Sequence, residues 1–190
     1  MKIGLFFGSF NPVHIGHMVI ANYMLEYSDL HQIWFVISPH NPLKDKSTLL
    51  TDHHRYELVL RAIDDHPKYR ASNIEFSLPK PSYTIHTLAY LQDKYPSHEF
   101  VVIMGSDSLL TFENWMNYKH ILNSFSIFVY KRPNYATSNY DNHPNVKIFD
   151  APMMEVSSSF IRKAIKEKKD IHFFMPKAAY IYMKEMHFYE

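Results

Sequence analysis

Residues 8–17, GSFNPVHIGH, hold the densest chemistry in the chain. Two histidines, His14 and His17, stand three apart, beside two of the chain's four glycines, Gly8 and Gly16. An apolar run, IGLFF, precedes them, and Ile20, Ala21, Met24 and Leu25 follow at helical spacing. A strand that runs into a glycine turn and then into a helix N-terminus gathers free N–H groups and the positive end of the helix dipole, a place for an anion. The segment is not a P-loop, because the lysine and Ser/Thr of that motif are absent. Two imidazoles stand where the lysine would be. Imidazole donates hydrogen bonds to phosphate oxygen and, when protonated, adds positive charge. Taken alone, an H-x-x-H pair also reads as a surface pair or as half of a metal site.

The elements that position these residues follow from hydrophobic pattern. KIGLFF (2–7), QIWFVIS (32–38), YRASNIEFSL (69–78), EFVVIMG (99–105), SIFVYKR (126–132) and NVKIFD (145–150) read as strands. Helical periods cover 52–65, with Asp52 as cap, 82–95, with Ser82 as cap, 158–169 and 177–188. Strand and helix alternate, which specifies an α/β fold in one domain over residues 1–190: a doubly wound parallel sheet with helices on both faces and right-handed crossovers. Ligands of such sheets bind beyond the carboxyl ends of the strands. That rule points to the loops after residues 7, 38, 105 and 132. Gly8 and Gly105 both fall at strand ends, where the missing Cβ lets a backbone approach a ligand. Asp107, just past Gly105, can accept from ribose hydroxyls or cap the helix SLLTF, or both. The long polar loop 132–145 is either a surface loop or a lid.

Composition narrows the function class. Hydrophobic residues make up 46% and charged residues 21%, which argues against disorder. Net charge is +1, so the basic excess of a dedicated nucleic-acid binder is missing. With no cysteine, disulfides and thiolate metal sites are excluded, in keeping with a reducing compartment. No apolar stretch approaches the ~18 residues of a membrane span, and the N-terminus does not read as a signal peptide. The expectation is a soluble, cytoplasmic protein that binds neither membrane nor nucleic acid. The oligomeric state is open, a homo-oligomer included.

GSFNPVHIGH resembles the signature of the HxGH nucleotidyltransferases, which share a Rossmann-like fold. Further motifs are similar to those of the bacterial nicotinate-nucleotide adenylyltransferases, in the same order: SPHNPLK (38–44), PSYTIHTL (81–88), GSDSLLTFENW (105–115), YKRP (130–133) and SSSFIR (157–162). The resemblance implies adenylyl transfer from ATP to nicotinate mononucleotide in NAD biosynthesis, with magnesium held mainly by phosphate and water and no protein metal cage. It assigns His14, His17 and Arg162 to the reacting phosphates. It assigns Gly8, Ser9, Phe10, Gly105, Asp107 and Ser158, with His17 and Arg162, to ATP. Asn41 and Lys44 would hold the mononucleotide phosphate, and Trp115 would stack on the pyridine. Thr84 would read the nicotinate carboxylate, with Arg132 adding charge on that side.

Three positions depart from the family pattern: Phe7 replaces a glycine, His86 an aspartate and Ser159 a threonine. None removes a group expected at the reacting phosphates. Rival readings are a related transferase with another phosphorylated acceptor, use of nicotinamide mononucleotide, a catalytically silent nucleotide sensor, and a metal module built on His14 and His17. The last finds no convincing third ligand at a set spacing.

Overall fold

A computed structural model describes residues 1–39, 49–133, 137–152 and 154–190. Among the described residues six strands form one sheet: β1 (Lys2–Gly8), β2 (Gln32–Ile37), β3 (Tyr69–Ser72), β4 (Glu99–Gly105), β5 (Ser126–Tyr130) and β6 (Val146–Phe149). Their order is β3-β2-β1-β4-β5-β6, and every neighbouring pair is parallel. The chain winds outward from β1 to β3, returns to the middle, and winds the other way from β4. The switch point lies between β1 and β4, where the crevice at the carboxyl ends is expected to take a ligand.

Two buried clusters explain the unbroken apolar runs. Along β2, Ile33, Phe35 and Ile37 join one cluster while Trp34 and Val36 join the other. β4 repeats this, with Val101 and Ile103 against Phe100, Val102 and Met104. A strand covered on both faces needs apolar side chains at odd and even positions alike. The first face is covered by α1 (Ile15–Glu26), α2 (Asp52–Ile63), α6 (Ser158–Lys166) and α7 (Lys177–Glu185). The second is covered by α3 (Thr84–Lys94), α4 (Ser106–Leu110) and α5 (Tyr118–Ser124). Among the described residues no helix is long and apolar enough to cross a membrane.

Three local expectations are corrected. The strand foreseen over 69–78 stops at Ser72, and Ile74–Ser77 form a turn of 3-10 helix. The turn carries Glu75 inward, where its carboxylate accepts from Thr87 Oγ1 at 2.7 Å and Ser82 Oγ at 3.0 Å. Ser82 is therefore not the cap of α3; that position is Tyr83. Asp52 does not cap α2 either. Thr51 does, with its hydroxyl accepting from His54 N–H, and Asp52 pairs with Arg55 at 2.6 Å.

Arg55 is wholly buried and joins the two strand-end loops. Nη1 donates to the carbonyls of Ser9 (2.6 Å) and Ser38 (2.8 Å), Nη2 to Pro39 (2.9 Å), and Nε to Leu50 (3.0 Å). A planar fork with five N–H donors suits that task, whereas lysine offers three donors on one point charge. Removing it strands several carbonyls and the Asp52 carboxylate. Arg55→Met is expected to lower unfolding free energy by about 3–5 kcal/mol. Urea denaturation reads this, and a loss under about 1 kcal/mol would show that the loops hold without the clamp.

Candidate active site

The loop after β1 turns sharply, with Phe10 in the left-handed region (φ 45°). Its ring is buried, at 5.7 Å from Phe35 and 5.1 Å from His17. A Cβ on Gly8 would sit 2.8 Å from that ring, so Gly8 makes room for Phe10. The ring thus belongs to the core.

His14 caps α1 in extended conformation, and His17 lies in the first turn. Sequence expects His17 to begin the helix with His14 a turn earlier; the helix in fact begins at Ile15. The two rings lie together, centroids 3.6 Å apart and tilted by 30°. His14 N–H donates to His17 Nδ1 at 3.1 Å. His17 thus accepts through Nδ1, and the proton of its neutral ring sits on Nε2. Gly16 lets the His14 ring fold over the helix start, because a Cβ there would stand 3.1 Å from His14 Nδ1. Nδ1 of His14 is buried with no hydrogen-bond partner among the described residues. Burial, helped by the charge of Arg132, lowers the His14 pKa from 6.5 to about 4.

The SSSFIR segment docks on the same loop from the far end of the chain. Ser157 caps α6 by accepting from Phe160 N–H at 3.1 Å, and Ser158 Oγ donates to Pro12 O at 2.8 Å. Arg162 Nη1 donates to Asn11 O at 2.7 Å, and Nη2 to Ser159 Oγ at 3.2 Å. The guanidinium is thereby fixed beside the loop that carries His14 and His17.

Gly105 ends β4 and itself caps α4, so Asp107 lies in the first turn and is not the cap. A Cβ on Gly105 would collide with the Asp107 carboxylate and come within 3.1 Å of Arg132 Nε. Asp107 and Arg132 form a loose ion pair of 3.6 Å, and Arg132 N–H donates to Ser106 Oγ at 2.9 Å. Arg132 therefore stands beside Asp107 and acts on His14. Thr84 opens α3 and Trp115 follows Phe112–Asn114; both are half-buried, and Trp115 meets Phe112 edge-on at 5.4 Å. His86 is exposed and edge-on to Tyr83. Asn41 and Lys44 lie outside the described residues, as do 134–136 of loop 132–145. Tyr140 of that loop donates to Glu113 Oε1 at 2.7 Å, close to Trp115 in sequence.

Four contributors escape a sequence reading: Asn11, Arg55, Glu75 and Tyr189. Each shows only a weak signal, such as a charge inside an apolar period (Arg55, Glu75). Tyr189 OH donates to Asn11 Oδ1 at 2.6 Å across 178 positions of chain, a contact that no local pattern announces.

The paired imidazoles, the docked arginine and the glycine-ended strand lie at the carboxyl ends of the strands flanking the switch point, where α/β sheets of the doubly wound class take their ligands. The family model described as cytidylyltransferase-like matches residues 5–164, and the chain belongs to that family. It is 52% identical over 192 residues to the probable nicotinate-nucleotide adenylyltransferase of Flavobacterium psychrophilum, covering all of both chains. It is 50% identical to the protein of that name from Flavobacterium johnsoniae, again over the full length of both. In fold it matches the solved structure of Plasmodium falciparum nicotinic acid mononucleotide adenylyltransferase complexed with NaAD. That match has a TM-score of 0.83 and 20% identity, and covers 99% of this chain and 97% of the other.

The neutral state of His14 carries a pH signature. Between 6.5 and about 4 the unfolded chain binds a proton that the folded chain refuses, so stability falls as pH drops through that window. The loss from this group is on the order of 2 kcal/mol at pH 5. Urea denaturation at pH 7.5 and pH 5 should show a shallower acid loss in His14→Gln than in the parent. Equal losses would mean that the ring is not held neutral.

Proposed function

We propose that this chain transfers the adenylyl group of ATP to nicotinate mononucleotide, giving nicotinate adenine dinucleotide and pyrophosphate on the way to NAD. The observation that carries the reading is the convergence of His14, His17 and Arg162 on one loop at the switch point, in a chain alike over its full length to nicotinate-nucleotide adenylyltransferases. The whole reaction is assigned to one domain.

A phosphate oxygen of the mononucleotide attacks the α-phosphorus in line, a new P–O bond forms, and the bond to the bridging oxygen of pyrophosphate breaks. A phosphate is already ionised near pH 7, so no general base is needed. The protein aligns two anions and stabilises charge that moves toward pyrophosphate. His17 donates from Nε2 to the α-phosphate, its other nitrogen being held by His14 N–H. His14 bridges the reacting phosphates. Held neutral in the free protein, it gains proton affinity when polyanionic ATP arrives, because a nearby opposite charge favours the protonated ring. Arg162 presents the donors not engaged by Asn11 and Ser159 to the β- and γ-phosphates.

Gly8, Ser9 and Phe10 offer backbone, and Gly105, Asp107 and Ser158 complete the nucleotide side. Asp107 accepts from ribose hydroxyls. Asn41 and Lys44 hold the acceptor phosphate, Trp115 stacks on the pyridine and Thr84 reads the carboxylate, with Arg132 adding positive charge. Magnesium would be held mainly by the triphosphate and water. The donors gathered here are imidazole and guanidinium, and no group of three His, Asp or Glu side chains among the described residues is placed to hold a metal. The donor set therefore fits a cation held by phosphate and water oxygens, whose charge would offset that of the leaving pyrophosphate.

Pyrophosphate release should be followed with ATP and magnesium, using nicotinate and nicotinamide mononucleotide side by side. Strong preference for the acid is expected; no release with either would refute the acceptor assignment. In the same assay His17→Ala should lower turnover by about 100-fold or more with the fold intact. Trp115→Ala should raise the KM for the mononucleotide more than that for ATP, and equal rises would reduce Trp115 to packing.

A further inference from the structure

Residues 187–190 follow α7 and are tied down more firmly than a free terminus. Phe188 is buried, donates its N–H to Met183 O at 3.1 Å, and packs its ring 4.8 Å from His54 on α2. Glu190 pairs with Lys184 and His187, each at 2.9 Å. His187 and Tyr189 both adopt left-handed backbone, φ 52° and 68°, which costs a residue with a side chain roughly 1–2 kcal/mol. Such conformations persist where the surroundings fix them, and they recur at functional sites.

What the turn achieves is the placement of the Tyr189 hydroxyl on Asn11 Oδ1 at 2.6 Å. The same oxygen accepts Leu50 N–H at 3.1 Å, and the main-chain carbonyl of Asn11 is the anchor of Arg162 Nη1 at 2.7 Å. The flanks of the loop are held independently, Ser9 by Arg55 and Pro12 by Ser158. Asn11 is the point between them, and the chain's penultimate residue holds it. Burial keeps the phenol protonated despite the charges of Arg55 and Arg162, so it remains a donor.

We infer that Tyr189 is a positioning residue for the triphosphate subsite: through Asn11 it fixes the carbonyl that orients Arg162, so the C-terminal tail completes the ATP site. The inference rests on the adenylyl-transfer reading, in which Arg162 binds the β- and γ-phosphates.

The test is Tyr189→Phe, which keeps the ring and removes only the hydroxyl. KM is measured for ATP and for nicotinate mononucleotide separately, with the dissociation constant of ATP–magnesium read by calorimetry. The variant should raise both ATP constants by about 5–10-fold and leave the mononucleotide KM within about twofold. Unchanged ATP constants, or equal rises for both substrates, would overturn the inference.

A double-mutant cycle supplies an independent decision. If the hydroxyl acts through Arg162, adding Tyr189→Phe to Arg162→Ala should weaken ATP binding no further, whereas additive losses would overturn that route. The binding arm also separates two kinds of failure. A parent protein that binds ATP but releases no pyrophosphate refutes the reaction, while its ATP dissociation constant against that of Tyr189→Phe still decides the role of the tail.

Discussion

The Arg55 guanidinium has no exposed surface, yet it joins carbonyls from two separate loops: Ser9 after β1, and Ser38 and Pro39 after β2. Those carbonyls lie just past the ends of neighbouring parallel strands, where the ladder stops and main-chain oxygens would otherwise point into the interior unpaired. One planar cation with fixed donors satisfies several of them at once and sets the distance between the two loops. One loop leads to His14 and His17, and the other to the segment proposed to hold the acceptor phosphate. For two bound phosphates to meet within reacting distance, those loops must keep a constant separation. In the proposed reaction the wholly buried arginine would therefore constrain the geometry of the two loops as well as stabilise the fold.

The same economy of position recurs on the other half of the sheet. Gly105 allows Asp107 and Arg132 to close over the end of β4, and the charge of Arg132 reaches His14. His14, His17 and Arg162 sit with helices of one face of the sheet, whereas Thr84 and Trp115 sit with helices of the other. Under the proposed function this division would give triphosphate contacts from one layer, pyridine contacts from the other, and the reacting phosphates over the switch point between β1 and β4. Of the departures from the family pattern, His86 is exposed, and Ser159 keeps a hydroxyl that accepts from Arg162 Nη2.

The central strands were legible because they are covered on both faces, which leaves short unbroken apolar runs ended by glycine or polar turns. At the edge, β3 reads too long in sequence. Glu75 lies in an apolar-looking stretch, and only its partners Ser82 and Thr87, brought in by α3, explain why the chain leaves the sheet at Ser72. His14, His17 and Arg162 stand out because their segments match motifs of a family, and the structure docks Arg162 on the loop that leads to the paired histidines. Arg55 reads as a surface charge on a helix until the loops around it are folded. Asn11 lies inside the opening motif but contributes through its carbonyl and amide oxygens, which residue type does not advertise.

A site that binds polyanions by crowding fixed cations together would strain the empty protein, since like charges in a low-dielectric crevice repel. Burial and the neighbouring Arg132 charge both disfavour the His14 imidazolium, so in the proposed site Arg132 and Arg162 would not share the crevice with a third cation before substrate arrives. In the proposed reaction, bound triphosphate would favour protonation of His14 where negative charge collects, so part of the positive charge at the reacting centre would come with the substrate. In the mechanism proposed here, that differential response allows the histidine pair to interact more strongly with the pentacoordinate phosphorus and departing pyrophosphate than with an empty site, and stronger interaction at the transition state is what accelerates a reaction.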